Sequence, residues 1–208
     1  MQLTGVLSIG LLLTLSFLDS DIKGGITNIK LVKKTKAFLL AWLLTTFVFI
    51  LIQISYLLQQ PLASSFDLTV IRSYLTQTAI GKSYIVQIIG IILLLSVALR
   101  RVITTYLGLL IALIAIVAPV FQSHGSSSGR HGLAIGALVI HVIALSFWVG
   151  GLFGLTQLSK EQKLIALPRF SELALWSAIT VVITGAATAW TRLDSIEAWQ
   201  SKYGAITL

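Results

Sequence analysis

The stretch Leu133–Leu158, LAIGALVIHVIALSFWVGGLFGLTQL, predicts a membrane helix, because it is predominantly apolar and His141 is its only ionisable residue. About twenty predominantly apolar residues are enough to cross the hydrocarbon core of a bilayer as an α-helix. An ionisable side chain inside such a span is costly to bury, so His141 is a functional-site hypothesis by default. The polar segment just before the stretch holds the other two histidines of the chain, His124 and His131.

The composition indicates a membrane protein rather than a soluble domain. Of 208 residues, 56% are hydrophobic and 11% are charged, and the mean hydropathy is +0.95. The net charge of +8 comes from short basic clusters between apolar runs, which are typical of membrane topology signals and form no nucleic-acid-binding face. The absence of cysteine excludes disulfides and thiolate metal sites. We therefore expect the lipid bilayer, and no nucleic acid, as a partner.

Six apolar runs predict an all-α, polytopic integral membrane bundle of about six transmembrane helices, forming a single membrane-embedded domain over residues 1–208. The mixed segment 62–82 between the second and third runs predicts an interfacial hairpin or a short helix. The chain closes on YGAITL, which resembles the start of another apolar run, so we expect a truncated sequence. The six runs cover residues 3–18, 37–58, 83–99, 102–121, 133–158 and 171–191.

The distribution of basic residues predicts the orientation of the bundle. The loops after the first, third and fifth runs hold ten Lys and Arg residues, and the other three hold five. By the positive-inside rule the first set is cytoplasmic, so the N-terminus lies outside and His124 and His131 face the extracytoplasmic medium. At 1.5 Å per residue, His141 is expected roughly 12 Å below the outer surface.

The three histidines are candidate metal ligands. Neutral imidazole is the commonest metal-binding side chain, and without cysteine it suits copper, zinc or nickel. His131 and His141 are ten residues apart, about 15 Å on one helix, so a relay from His124 and His131 to His141 fits better than one three-histidine centre. The alternatives are an ordinary polar loop for the first two and, for His141, an imidazole satisfied by a neighbouring hydroxyl or carbonyl.

Helical spacing places further polar and aromatic groups near this histidine. His141, Leu145 and Trp148 fall along one stripe of the fifth helix, whose glycines predict close helix packing. A hydroxyl stripe on the sixth helix either lines a path with Trp148 or bonds back to its own backbone. The hydroxyl stripe consists of Ser177, Thr180, Thr184, Thr188 and Thr191, of which Thr180, Thr184 and Thr188 are the candidate path-lining residues.

Three segments resemble the copper resistance protein D family of bacterial membrane proteins: HVIALSFWVGGL (141–152), LPRFSELALWSAITVVITGAATAW (167–190) and KYGAITL (202–208). The similarity is close over about 121–208, whereas the first 120 residues agree only in hydropathy. Around the histidines Ser123, Gly125 and Arg130 depart from the residues common in the family. The matching positions are His141, Trp148 to Gly151, Arg169 to Ser171, Gly185, Ala189, Trp190, Tyr203 and Gly204, with His124 and His131 at the positions of family histidines.

The resemblance implies transport of copper ions across the bacterial cytoplasmic membrane, with His124, His131 and His141 as ligands. The runner-up is a copper-delivery or assembly module for a respiratory cytochrome oxidase, because some actinobacterial relatives carry a fused oxidase-assembly domain. Expected partners are copper and either an extracytoplasmic copper chaperone or such a fused domain. A haem protein is less favoured, because two facing histidines would be needed and only His141 lies within a helix. A structural subunit stays open, and no motif predicts an enzyme.

Overall fold

The chain is described by a computed structural model for residues 2–19, 29–96, 102–122 and 131–192. Within these ranges it contains helices and short turns but no strand, which confirms the all-α fold class. A π-helical segment, Ser146–Gly150, joins α6 to α7, and two short 3-10 turns cover Leu62–Phe66 and Val120–Gln122. The α-helices are α1 (Gln2–Asp19), α2 (Ile29–Leu58), α3 (Leu68–Gln77), α4 (Ala79–Ser96), α5 (Val102–Val117), α6 (His131–Leu145), α7 (Gly151–Thr156) and α8 (Lys160–Arg192).

Four of the helices in these ranges are long and apolar enough to cross a membrane, namely Ile29–Leu58, Ala79–Ser96, Ile135–Thr156 and Lys160–Trp190. Two shorter apolar helices cover Gln2–Phe17 and Tyr106–Val117. Large apolar side chains are exposed along the bundle, as expected where lipid replaces water as the solvent. The protein is therefore a multi-pass, all-helical membrane protein.

The last helix begins earlier than its hydropathy predicts. α8 starts at Lys160 rather than at Ser171, so the predicted basic loop is a helical extension. A capping box explains the start: the Ser159 backbone N–H donates to Gln162 Oε1 at 3.1 Å, and the Gln162 N–H donates to Ser159 Oγ at 3.4 Å. The helix also continues through Pro168, although proline removes one backbone hydrogen bond.

Several basic and polar side chains tie together one end of the bundle, which we call the basic end. Lys34 Nζ near the start of α2 donates to Gln157 Oε1, after α7, at 2.9 Å. Arg169 Nη1 on α8 donates to the carbonyl oxygen of Phe17, near the end of α1, at 2.9 Å. The Tyr106 hydroxyl near the start of α5 lies 3.4 Å from the Ser16 carbonyl oxygen. The segments flanking the first, third and fifth predicted loops therefore lie at one end.

The segment between α2 and α4 forms a short helix, as predicted. The Asp67 side chain caps α3 by accepting a hydrogen bond from the Thr69 N–H at 2.8 Å. α3 packs beside α2 and α4 through Tyr74, and burial raises the pKa of this phenol.

The main apolar core lies where α1, α2, α4 and α5 meet. Trp42 on α2 is fully buried, and a Cβ placed on Gly5 of α1 would lie only 2.7 Å from its indole ring. Ile91 and Ile116 complete this layer from α4 and α5. Trp42 therefore limits how closely α1 can pack against α2, and a residue bulkier than glycine at position 5 would displace the indole.

Candidate functional site

The two adjacent glycines of the Trp-Val-Gly-Gly motif pack against different helices. A Cβ on Gly150 would collide with the backbone of α1 at Val6 and Gly10, whereas a Cβ on Gly151 would collide with the Phe170 ring on α8. One turn later, Gly154 lies directly against the Thr14 side chain. The prediction that these glycines allow close helix packing is confirmed.

These crossings set the depth of the candidate histidine. Gly150 lies against Gly10 and Gly154 against Thr14, so the segment from α6 to α7 runs parallel to α1. His141 precedes Gly150 by nine residues and therefore lies near the level of the first residues of α1. His141 lies ten residues, about 15 Å along the helix, after the start of α6. It is therefore in the half of the bundle that is farther from the basic end.

The imidazole of His141 lies between α6 and α8. Its Nδ1 atom is 3.0 Å from the hydroxyl oxygen of Thr184, and the pair is partly buried. Gly185 also lies beside the ring, because a Cβ there would be 3.6 Å from His141 Cε1, an ordinary van der Waals contact. Thr184 and Gly185 therefore contribute the α8 side of the position that the imidazole occupies.

The hydrogen bonds of Thr184 determine which nitrogen of the neutral ring carries the proton. A threonine hydroxyl has one proton, and Thr184 Oγ1 is 2.6 Å from the Thr180 carbonyl oxygen, which can only accept. Thr184 therefore donates along its own helix and accepts from His141 Nδ1–H. The ring is left with a lone pair on Nε2, which is the form that binds metal ions.

Among the described side chains of the predicted hydroxyl stripe, Thr184 is the one that hydrogen bonds to the histidine. Thr180 donates to the Trp176 carbonyl oxygen at 2.7 Å, and Thr188 donates to the Thr184 carbonyl oxygen at 2.8 Å. These hydrogen bonds match the alternative prediction, in which each threonine hydroxyl donates to a backbone carbonyl of the preceding turn of its own helix. Thr184 combines both roles, because it bonds back to its helix and also contacts His141.

The predicted stripe of His141, Leu145 and Trp148 is altered by the π-helical segment. Residues Ser146–Gly150 make i to i+5 bonds, which widen the turn and change the angular position of Trp148 relative to regular α-helical spacing. Trp148 is partly buried. Such π-helical turns are frequent at functional sites, and here the widened turn also carries Gly150.

The outer histidines lie largely beyond what the structure describes. His124 is outside the described residues, and His131 is described as the first residue of α6 without its side chain. Among the described residues no group of three or more His, Asp or Glu side chains is close enough to hold a metal ion. The predicted relay through these two residues therefore stays a prediction.

Glycines in the first half of α6 have no close neighbour. A Cβ on Gly132 or Gly136 would meet nothing within 4 Å among the described residues. The prediction of close helix packing is therefore wrong for these two within the described part of the chain. Their side of the helix is open, in contrast to the tightly packed turns around Gly150.

Comparison with known proteins identifies the family. A family model described as "Copper resistance protein D-like, N-terminal domain" matches residues 1–133, more than half of the chain. No curated protein and no solved structure gives a significant match. The matched range is the part of the chain that agreed with the family only in hydropathy, whereas the sequence motifs lie mostly in residues 121–208.

Proposed function

The chain belongs to the copper resistance protein D-like family, and we propose that it transports copper ions across the cytoplasmic membrane of a bacterium. In this proposal copper is the cargo and the chain performs no enzymatic reaction. His124 and His131 collect copper at the outer face, and His141 receives it within the bundle.

The observation that carries the proposal is the geometry of His141. Thr184 accepts the Nδ1 proton, which orients the ring and leaves Nε2 free to bind a metal ion. A hydrogen-bonded second nitrogen is the usual arrangement for metal-binding histidines, where the outer partner fixes the tautomer. Imidazole is a suitable ligand for copper.

The proposed topology has six membrane-spanning helices with the N-terminus outside. It is supported by the gathering of Lys34, Arg169 and the segments around the odd-numbered loops at one end of the bundle. That end carries the excess of basic residues and is therefore cytoplasmic by the positive-inside rule. His141 is then closer to the outer face, where it can exchange copper with His131.

Copper uptake into vesicles tests this function. We expect the full chain, reconstituted in liposomes, to accumulate copper, and we expect His141→Ala to lose this activity because the metal-binding nitrogen is removed. Ile140→Ala is a matched control, since Ile140 is half exposed on the same turn of α6. Equal uptake by both variants, with both proteins folded and inserted, would contradict a role for His141 in transport.

Copper delivery to a respiratory oxidase is a second candidate. One observation favours it: among the described residues no group of three or more His, Asp or Glu side chains forms a complete metal site, and an incomplete site at His141 could accept a ligand from a copper chaperone or an assembly domain. This role predicts copper binding without vesicle uptake. Oxidase activity that falls when His141→Ala replaces the chain in cells, with unchanged cellular copper, would distinguish delivery from transport.

A further inference from the structure

A cavity of about 300 Å³ opens at the end of the bundle opposite the basic end. It lies between the start of α1, the second half of α2, the start of α4 and the turn after α5. Its polar side chains are Gln2, Gln53 and Tyr84, and the other walls are apolar. The Tyr84 side chain is almost fully buried, and its hydroxyl makes no hydrogen bond to a described protein group. A hydrogen-bond partner for this hydroxyl would therefore lie in the cavity.

A buried glutamine lies one turn deeper than this cavity. Gln87 follows Tyr84 by three residues on α4 and is fully buried. Its Nε2 donates to Thr46 Oγ1 at 3.1 Å, while Thr46 donates its own proton to the Trp42 carbonyl oxygen at 2.8 Å. The amide orientation is therefore fixed, and Gln87 Oε1 is left as a buried acceptor without a protein partner.

A second buried group nearby also has no partner. Trp42 Nε1–H is a buried donor that bonds no protein acceptor, and Trp42 precedes Thr46 by one turn of α2, about 5.4 Å. Burying an unpaired polar group costs free energy, about 1–3 kcal/mol for each. Gln87 Oε1 lacks a donor and Trp42 Nε1–H lacks an acceptor, so the two groups have complementary roles, and water can serve as the partner of each.

A hydroxyl pair adds to the polar surface beside these groups. Thr4 on α1 and Thr45 on α2 are 3.0 Å apart, and Thr45 donates to the Ala41 carbonyl oxygen at 2.9 Å. On the same turn of α2, Leu44 and Val48 are exposed on the lipid-facing side. The hydroxyls of Thr4, Thr45 and Thr46 thus add polar atoms to the turn of α2 that follows Trp42, while Leu44 and Val48 keep its outer side apolar.

We infer that the junction of α1, α2, α4 and α5 is a water-binding site, in which water enters through the cavity and hydrogen bonds to Gln87 and Trp42. Water fits because this lining offers amide, hydroxyl and indole groups and no carboxylate, imidazole or thiol. Buried waters in proteins typically make two to four such bonds. The site uses no residue of α6 or α8, so it is independent of the proposed copper transport.

Radiolytic hydroxyl-radical labelling of the full chain in lipid nanodiscs tests this site, because radicals form from bound water and oxidise adjacent indoles. We expect Trp42, although fully buried, to be oxidised in the wild type above the unirradiated background. Labelling at Trp42 should fall several-fold in Gln87→Leu, which removes the acceptor. It should persist in the matched control Ile89→Leu, on the exposed side of α4.

Two results would overturn the water site. One is an unlabelled Trp42 in the folded wild-type protein, which needs no variant to interpret. The other is a higher melting temperature for Gln87→Leu than for the wild type, because removing an unsatisfied carbonyl from a dry core is stabilising whereas removing a hydrated one is not. A lower melting temperature together with lost labelling supports the site.

Discussion

The two halves of the helix that carries His141 use glycine in opposite ways. Beyond the histidine, Gly150 lies against the α1 backbone with no room for a side chain, whereas before it a Cβ on Gly136 would meet no described atom within 4 Å. The same residue type therefore marks a tight helix crossing in one half and an open surface in the other. His141 stands at the boundary, partly buried and held by Thr184. A tight helix contact at Gly150 beside a less crowded first half of α6 is consistent with the proposed binding and release of copper at His141.

The largest expected effect comes from filling the tight half. Gly150→Val would drive a side chain into the α1 backbone at Val6 and Gly10, which cannot move aside without separating the helices. We expect destabilisation of about 3 kcal/mol or more, at the upper end for overpacked cores. Thermal unfolding in detergent, monitored by size-exclusion chromatography, measures this loss. Gly136→Val is the matched control. Equal losses of thermal stability in both variants would contradict the claim that Gly150 is more tightly packed than Gly136.

A smaller effect is expected at the boundary. Thr184→Val removes the hydroxyl that accepts from His141 Nδ1 while keeping the size of the side chain. We expect copper affinity to fall about 10- to 100-fold, as for other outer partners of metal-binding histidines. Competition titration of the purified protein with a copper chelator measures the affinity.

The control for that substitution lies one turn away. Thr180 donates its hydroxyl proton to its own helix, so Thr180→Val should leave copper affinity nearly unchanged. If Thr180→Val weakened copper binding as much as Thr184→Val, the effect would come from α8 as a whole and not from the hydrogen bond to the imidazole.

The smallest effect is expected in the open half. Gly136→Ala adds a methyl group that meets no described atom, and alanine favours the helix over glycine by about 0.5–1 kcal/mol. We therefore expect the melting temperature to be unchanged or slightly higher. A clear loss of stability would show that a further part of the chain or another molecule packs on this side of α6.

Much of the fold follows from hydropathy. The prediction is wrong where hydrogen bonding, rather than hydropathy, determines where a helix begins. Each of the six apolar runs corresponds to a helical segment. In these segments the apolar side chains either pack in the core or face lipid, and this requirement determines the helix. The early start of α8 at Lys160 was missed, since lysines continue a helix readily once Ser159 and Gln162 form a capping box. The Ser-x-x-Gln pattern was the signal that could have revealed it.

Two neighbours in the candidate site were predicted as residues of interest, but their contact was not predicted. His141 and Thr184 were both singled out from the sequence, yet only tertiary structure shows that they meet and which of them donates. Gly10 was not singled out, because its role depends on Gly150 from a distant segment. Gln87 was also missed, although an amide side chain within an apolar run is a signal of the same kind as His141.

Copper binding by His141 is tested most directly by the copper content of the purified full chain in lipid nanodiscs, measured by elemental analysis after equilibration with copper and removal of the free ion. We expect near-stoichiometric copper in the wild type and in Ile140→Ala, and a clear loss of copper in His141→Ala. Equal copper in all three folded proteins would contradict the claim that the imidazole held by Thr184 binds the metal.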